Sequence, residues 1–266
     1  MVKTIASDTI ALLREVSPQL PHCELTHVQR VPINLELART QHKSYAQALT
    51  GLGASIEWLP PLPGCPDGVF VEDMAIALPE LAVIARPGTA SRVKEVDSVA
   101  TALERHRRLV YLSEDAHLDG GDVLVAGKRV YVGNSTRTNK AAARDLARTL
   151  APHGYEVSSI YVTGCLHLKT ACTFIPPGII VINAPCVDPS AFRDFEVIEV
   201  DENEASAANT LTLGGTTLVS SAFPKTEARL RRAGVNTRAL DISELQKAEA
   251  GLSCLSVLLS GVRPAA

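Results

Sequence analysis

A short hairpin pattern occurs four times in this chain, and it limits the available folds more than any other feature. Two apolar runs flank a turn at Leu78-Pro79-Glu80, at Ala126-Gly127-Lys128, at Pro176-Pro177-Gly178 and at Gly214-Gly215. Apolar and β-branched runs on either side of a turn rich in Gly or Pro are typical of β-hairpins. The turns recur every 40 to 50 residues or so, and evenly spaced self-similarity favours a repeat architecture.

Helical patterns lie between the hairpins. The segment NLELARTQHKSYAQALTGLG predicts a first helix with Asn34 as its N-cap. A third helix, with Ser/Thr cap candidates in STRTN, should end at Gly154, and a fourth should run from Pro224 to Gly234. The second helix, in TASRVKEVDSVATALERH, carries an apolar face formed by Val93, Val96, Ala100 and Leu103.

The two ends of the chain can supply a fifth hairpin. The segment TIALLREVSP near the start resembles the second strand of a hairpin, and GLSCLSVLL near the end resembles a first strand. Pairing them would close a ring of five similar units and remove exposed strand edges. No linker rich in Pro, Gly or Ser divides the chain, so we expect one α/β domain over residues 1–266. The alternative is an open α/β sheet, whose hairpins would need no common period.

Composition excludes several classes of protein. The chain has 266 residues, of which 46% are hydrophobic and 21% charged, as in globular proteins with a sizeable core. The net charge of −3, without a basic run, argues against nucleic acid or an anionic membrane as a partner. No stretch approaches the roughly 20 apolar residues of a membrane span. The N-terminus shows no signal-peptide pattern, so we expect a cytoplasmic protein with six free cysteines.

Polar residues stand where the first strand of each unit begins. Taken singly, each has a structural explanation: a cysteine in an apolar strand such as GLSCLSV is usually a core residue, and Asp beside Gly-Gly usually belongs to a turn. In a closed ring, however, these strand ends would face one another across a central channel. A thiol, an imidazole and a carboxylate are the parts of a cysteine hydrolase, and additional carboxylates suit a cationic guanidinium. The residues concerned are Asp67, Glu72, Asp73, Asp119, Asp122, His167 and Cys254.

Five motifs carry a resemblance to a known family. In order, FVEDMAI, LDGGDVL, VGNSTRTN, LHLKT and GLSCLSV resemble the dimethylarginine dimethylaminohydrolases, which are guanidine-modifying enzymes with the pentein fold. The resemblance implies a five-bladed α/β propeller of ββαβ-like units around a pseudo-fivefold axis, with the terminal strands paired. It also implies hydrolysis of Nω-methylated L-arginine to L-citrulline and methylamine or dimethylamine, through a covalent S-alkylthiouronium intermediate. No metal or organic cofactor is implied, and the family resemblance is compatible with a homodimer.

The resemblance also implies roles for individual residues. Cys254 would be the nucleophile, His167 the acid and base, and Asp119 the group that orients His167. Glu72 and Asp73 would contact the guanidinium, and Arg86 and Arg137 the substrate carboxylate. The implied substrate-binding residues are Leu25 on a covering loop, Asp67, Glu72, Asp73, Arg86, Arg137 and the backbone of Ala248.

The chain departs from its relatives at one place, and other functions stay open. Glu249-Ala250 stands where relatives carry Asp-Gly, so a Cβ is added in the loop before Cys254. An arginine deiminase-like enzyme is the first alternative, although Lys169 stands where such enzymes carry an acid. A zinc site built from Cys165, His167 and Cys172 is another, and a catalytically inactive propeller that serves as a binding module is a third.

Overall fold

The computed structural model describes residues 9–261 and contains five three-stranded sheets. In every sheet two antiparallel strands form a hairpin, and a third strand lies parallel to the middle one. The strands are β1 (Thr9–Arg14), β2 (Ala54–Leu59), β3 (Ala75–Ala77), β4 (Ala82–Ile84), β5 (Leu109–Tyr111), β6 (Val123–Ala126), β7 (Arg129–Asn134), β8 (Glu156–Tyr161), β9 (Cys172–Ile175), β10 (Ile179–Ile182), β11 (Glu196–Glu199), β12 (Leu211–Leu213), β13 (Thr216–Ser220), β14 (Thr237–Leu240) and β15 (Val257–Leu259). The sheet orders are β15-β1-β2, β3-β4-β5, β6-β7-β8, β9-β10-β11 and β12-β13-β14.

All four internal hairpins form at the predicted turns. Ala77 pairs with Ala82 across the first turn, and Ala126 pairs with Arg129 across the second. The second turn depends on Gly127, whose φ of 65° suits glycine and few other residues. The closing hairpin is also confirmed, because Ile10 of β1 pairs with Leu259 of β15. The five sheets therefore make the closed five-bladed α/β propeller that the resemblance implies.

The helices that precede β2, β8 and β14 begin and end near the predicted residues. The helices are α1 (Leu35–Gly51), α2 (Val96–Glu104), α3 (Lys140–Leu150), α4 (Leu168–Ala171), α5 (Pro224–Arg232) and α6 (Ser243–Gln246). The side chain of Asn34 caps α1 by accepting from the Leu37 N–H at 3.1 Å. Asn139, rather than a Ser or Thr, caps α3, and the chain leaves that helix through Gly154.

The second helix is shorter than predicted. Residues Ala90–Glu95 form a 3₁₀ helix, and the α-helix begins only at Val96. Val93 therefore lies off the expected apolar face, and 53% of it is exposed. Ala100 and Leu103 are buried as predicted, and they pack in a cluster with residues of β3 and β4.

The first strands of the five units surround a central channel. The channel contains a cavity of about 300 Å³, lined by residues of β3, β6, β9, β12 and β15 and by Glu72, Gly120, Lys169 and Ser253. A single turn of helix precedes each first strand: Val71–Met74, Gly120–Asp122, α4, Ala205–Ala208 and Ser253–Leu255. These turns pack on one another, so residues distant in sequence are brought together there. No helix within residues 9–261 combines the length and apolar character needed to cross a bilayer.

Candidate active site

Four of these turns each contribute a chemically active side chain to the same place. Asp73 lies in the turn before β3, and Asp119 is the N-cap of the turn before β6. His167 is the N-cap of α4, which precedes β9. Cys254 lies in the turn before β15, not inside the closing strand as the apolar pattern suggested. The short turn Ser253–Leu255 therefore holds the thiol ahead of β15, beside the turns that carry the other three side chains.

Two consecutive glycines allow the turns to pack this closely. A Cβ on Gly120 would overlap the carbonyl oxygen of Glu72. A Cβ on Gly121 would lie 2.6 Å from Nδ1 of His167 and 2.8 Å from Oδ1 of Asp73. Both distances are shorter than a side-chain contact can be. The Gly-Gly pair in LDGGD therefore serves the close approach of three functional groups rather than a turn alone.

His167 is held by two carboxylates. Its Nε2 donates to Oδ2 of Asp119 at 3.0 Å, and its Nδ1 lies 3.9 Å from Oδ1 of Asp73. Burial by itself lowers the pKa of an imidazole, but Asp73, Asp119 and Asp122 outweigh it and raise the pKa of His167 to about 9. His167 is therefore an imidazolium at neutral pH and can donate a proton.

Asp122 fixes the backbone around His167. Its Oδ1 accepts from the Leu168 N–H at 2.8 Å, and its Oδ2 accepts from the Ser135 hydroxyl at 2.6 Å. Both carboxylate oxygens are used in this way, and the side chain is fully buried. Asp122 thus positions the start of α4 and does not line the small cavity described below.

The Cys254 thiol is protonated at neutral pH. Removal from water, together with the carboxylates of Glu72 and Asp73, raises the pKa of the thiol to about 12. The Gly251 N–H, which donates to Sγ at 3.3 Å, and the charge of Lys169 oppose this shift. A further positive charge near Sγ is needed to form the thiolate.

A small cavity joins these groups to other predicted residues. Its volume is about 20 Å³, and Cys254, His167 and Asp73 line it. The predicted residues Asp67, Arg137 and Ala248 also line it. Asp119 is fully buried behind His167, with its Oδ2 3.8 Å from Nη1 of Arg137.

Arg92, not Arg86, is the second arginine of this cavity. The Arg86 side chain is exposed and does not line the cavity, and its backbone carbonyl accepts from the Leu118 N–H at 2.9 Å. Arg92 is buried, and its Nη1 lies 2.5 Å from Oδ2 of Asp73. The expectation for Arg86 is corrected on this ground. The sequence does contain one indication that Arg92 is buried. Glu95 stands three residues after it, so the two side chains can pair on one face of a helix, and a buried arginine needs such a partner.

Two further predicted residues lie beside the cavity rather than on its wall. Glu72 accepts from Nζ of Lys169 at 2.5 Å and from the hydroxyl of Ser253 at 2.7 Å, so both its oxygens are engaged. It lines the larger cavity of the channel instead. Leu25 is half-buried against the cluster that Cys254 also touches, and its neighbour Glu24 lines the small cavity.

The fifth turn contributes Asn209, which sequence reasoning missed. Its amide donates to the carbonyl of Lys169 at 3.0 Å and to the hydroxyl of Ser253 at 3.1 Å. Its Oδ1 accepts from the Ser253 N–H at 2.9 Å. Asn209 follows the turn Ala205–Ala208, whereas His167 precedes α4, so the repeat offered no positional signal for it.

The cysteines near His167 do not complete a zinc site. Cys165 directs its Sγ toward the carbonyl of His167 at 3.5 Å, and burial raises the pKa of the Cys172 thiol. Within residues 9–261, the cluster with metal-ligand geometry is Asp73, Asp119 and His167, and it includes neither Cys165 nor Cys172. The structure therefore gives no support to the zinc alternative.

Comparisons with known proteins identify the family and the fold. No family model matches the chain. The N(G),N(G)-dimethylarginine dimethylaminohydrolase of Streptomyces coelicolor is 38% identical over 252 residues, covering 94% of this chain and 96% of that protein. The enzyme of the same name from Pseudomonas aeruginosa is 31% identical over 222 residues, covering 83% and 87%. A solved structure of the Pseudomonas aeruginosa enzyme, a Cys→Ser mutant complexed with citrulline, superposes with a TM-score of 0.89 at 28% identity and covers 94% of this chain and 98% of its own.

Proposed function

The chain belongs to the dimethylarginine dimethylaminohydrolase family and is a hydrolase of methylated arginine, and from this premise we propose that Cys254, His167 and Asp119 carry out the reaction. Cys254 is the nucleophile, and His167 moves the protons. Asp119 orients His167 and stabilises its charged form. The observation that carries this assignment is the meeting of thiol, imidazolium and carboxylates at one cavity.

The first half of the reaction needs a thiolate. The pKa of the resting thiol is about 12, and the charge of His167 is already balanced by Asp73 and Asp119. The guanidinium of the substrate is therefore the cation that lowers the thiol pKa on binding, and the thiol proton leaves to solvent. Sγ then forms a bond to the guanidinium carbon, His167 protonates the substituted nitrogen, and methylamine or dimethylamine leaves.

The second half uses His167 as a base. The first half leaves a thiouronium on Cys254 and a neutral imidazole. His167 takes a proton from water as the water oxygen bonds to the same carbon. The carbon–sulfur bond then breaks, the released thiolate takes a proton from solvent to restore the resting thiol, and the remaining proton goes to the free amine or solvent, which leaves L-citrulline. His167 returns to the imidazolium, as its pKa of about 9 requires at neutral pH.

Charges around the cavity suit the two ends of an amino-acid substrate. Asp73 is held ionised, because His167 and Arg92 outweigh burial and lower its pKa to about 2. Its carboxylate binds the guanidinium, and Glu72 supports the site through Lys169 and Ser253. Arg137 and Arg92 bind the substrate carboxylate, and Asp67 binds the amino group. The backbone of Ala248 and the loop that carries Leu25 close the site.

A citrulline assay across related substrates tests the proposal. Purified protein should release citrulline from asymmetric dimethylarginine and from monomethylarginine. Cys254→Ser should abolish that release while the far-ultraviolet circular dichroism stays unchanged. Citrulline formed from arginine alone, and from neither methylated form, would overturn the substrate assignment and favour the arginine deiminase-like alternative.

Lys169 supports the methylated substrate over that alternative. Its Nζ lies 2.5 Å from Oε1 of Glu72, so the pair is neutral and offers no further carboxylate to an unmethylated guanidinium nitrogen. An arginine deiminase of Mycobacterium bovis is 26% identical over 72% of this chain, and the match covers only 60% of that protein.

The proposal extends to the state of the protein in the cell. We expect a single catalytic domain over residues 1–266 that needs no metal or organic cofactor. All six cysteines are free, which supports a cytoplasmic location.

Tyr111 and Tyr161 are more than half exposed at the ends of outer strands and offer contact surface for a homodimer. Sedimentation equilibrium would measure the mass of the assembly.

A further inference from the structure

Glu249 stands at the point where the chain departs from its relatives, and its carboxylate holds a distant loop. Its Oε2 accepts from the Thr26 N–H at 2.7 Å, and its Oε1 accepts from the His27 N–H at 2.5 Å. The two donors are consecutive backbone amides, so one carboxylate grips the loop with both oxygens. Glu249 is also the one non-glycine residue within 9–261 that has a positive φ, at 60°. A non-glycine residue keeps this conformation only where its surroundings impose it.

Thr26 and His27, at the tip of the loop that Glu249 grips, have few other attachments. Residues 24–34 connect the 3₁₀ helix Leu20–His22 to α1, have no regular secondary structure, and are mostly exposed. Near its start, the Glu24 N–H donates to Asp67 at 3.2 Å and the Ser91 hydroxyl donates to Glu24 at 3.0 Å. Arg137 reaches the Thr26 hydroxyl only at 3.5 Å. Further along the loop, Arg30 donates to the carbonyls of Pro21 and Cys23 at 2.5 Å, and the Asn34 N–H donates to Glu244 at 2.8 Å. At Thr26 and His27 themselves, the two bonds to Glu249 are the shortest polar contacts.

The same loop and Glu249 border the cavity that contains Cys254. Glu24 and Glu249 both line the small cavity, together with Cys254 and His167. A volume of about 20 Å³ holds little more than one water molecule, since one water needs about 10 to 15 Å³ by this measure. A methylated arginine cannot enter a space of that size. Residues near the loop must move before the substrate can reach the thiol.

We propose that Glu249 is the latch of this loop: its carboxylate holds the amides of Thr26 and His27 in the closed position and sets the rate at which the cavity opens. Glu249 is thus a positioning residue for the reaction, and it acts through the loop without touching the reacting carbon. Its importance for turnover rests on the proposed function, but the opening of the loop does not.

The test compares Glu249→Gln with a matched control elsewhere in the fold. Glu204 also accepts from two consecutive backbone amides, those of Lys225 at 3.0 Å and Thr226 at 2.7 Å, at the start of α5 and outside the cavity. Glu204→Gln therefore removes the same kind of contact without touching the loop. Two readouts apply: hydrogen exchange in a peptide covering residues 23–30, and the rate at which iodoacetamide alkylates Cys254 at pH 9, followed by mass spectrometry.

Glu249→Gln should raise both rates about ten-fold, because one charge-assisted hydrogen bond is lost. Glu249→Ala, which loses both bonds, should raise them further, and Glu204→Gln should change neither. Equal exchange and alkylation rates in wild type and both Glu249 variants would overturn the proposal. Neither readout depends on citrulline release, so a protein that opens as expected but hydrolyses nothing would refute the proposed function and leave the latch standing.

Discussion

Asp119 accepts a hydrogen bond from His167 at a place where neither side chain meets water. The distance from Nε2 to Oδ2 is 3.0 Å, Asp119 is 0% exposed and His167 is 4% exposed. An unpaired charge in such a place would cost several kcal/mol, so each group depends on the other. The protonation of His167 is consequently set by its neighbours rather than by solvent.

Replacing Asp119 by Asn should slow the reaction and move its pH dependence. The carboxamide accepts one hydrogen bond but carries no charge, so the pKa of His167 should fall below about 9. We expect kcat to decrease about 100-fold at neutral pH, the lower range for loss of an acid–base function. The alkaline limb of the kcat/KM profile should shift to lower pH in parallel.

The control for this change is Asp115→Asn, an exposed carboxylate four residues earlier in the same segment. It should leave both kcat and the pH profile unchanged. A slower Asp119→Asn enzyme whose alkaline limb stays in place would mean that Asp119 acts only on the fold.

Substitution by lysine can distinguish the roles of the three arginines. Lysine cannot reproduce the planar fork with which arginine binds a carboxylate, so Arg137→Lys should raise KM for methylated arginine about ten-fold with little change in kcat. Arg92→Lys should raise KM as well and also lower the melting temperature, since Arg92 pairs with buried Asp73 and Glu95. Arg86→Lys should change neither quantity. Initial rates of citrulline release, with calorimetric melting temperatures, decide between Arg86 and Arg92.

Replacing Gly121 by Ala should damage the site through a single methyl group. That group would lie 2.6 Å from Nδ1 of His167, so the imidazole must shift. A displacement near 1 Å reduces rates about 100-fold, and overpacking costs about 1–3 kcal/mol of folding free energy. Gly178→Ala is the matched control, because nothing lies within 4 Å of its added Cβ. Full activity in Gly121→Ala would show that the turns can separate without harm.

The sequence predicted the architecture better than the placement of single side chains. Hairpins follow from local turns such as Ala126-Gly127-Lys128 and from apolar alternation, and closure of the ring follows because the two ends repeat the same pattern. The segment GLSCLSVLL predicts a strand through Cys254 because it is apolar apart from two serines, and this character does not distinguish a strand from the turn that precedes it. The sequence does not single out Arg92 for a related reason: it lies in the 3₁₀ helix Ala90–Glu95, and only tertiary packing decides that its side chain turns inward while that of Arg86 stays exposed.

The buried His167 should also make the stability of the protein depend on pH. An unfolded histidine has a pKa near 6.5, whereas the pKa of His167 in the folded chain is about 9. The folded state therefore binds the proton more tightly, and the resulting stabilisation is complete below pH 6.5 and disappears as pH rises through 9. A shift of this size corresponds to about 3 kcal/mol. Urea unfolding at pH 6 and pH 9 measures this effect. Between the two pH values, the free energy of unfolding of wild type should fall by about 3 kcal/mol more than that of His167→Asn.

His42→Asn is the control, because burial lowers the pKa of His42 to about 4 and keeps it neutral throughout this range. If His42→Asn lost the pH dependence and His167→Asn kept it, the charge at the active site would have to be assigned differently.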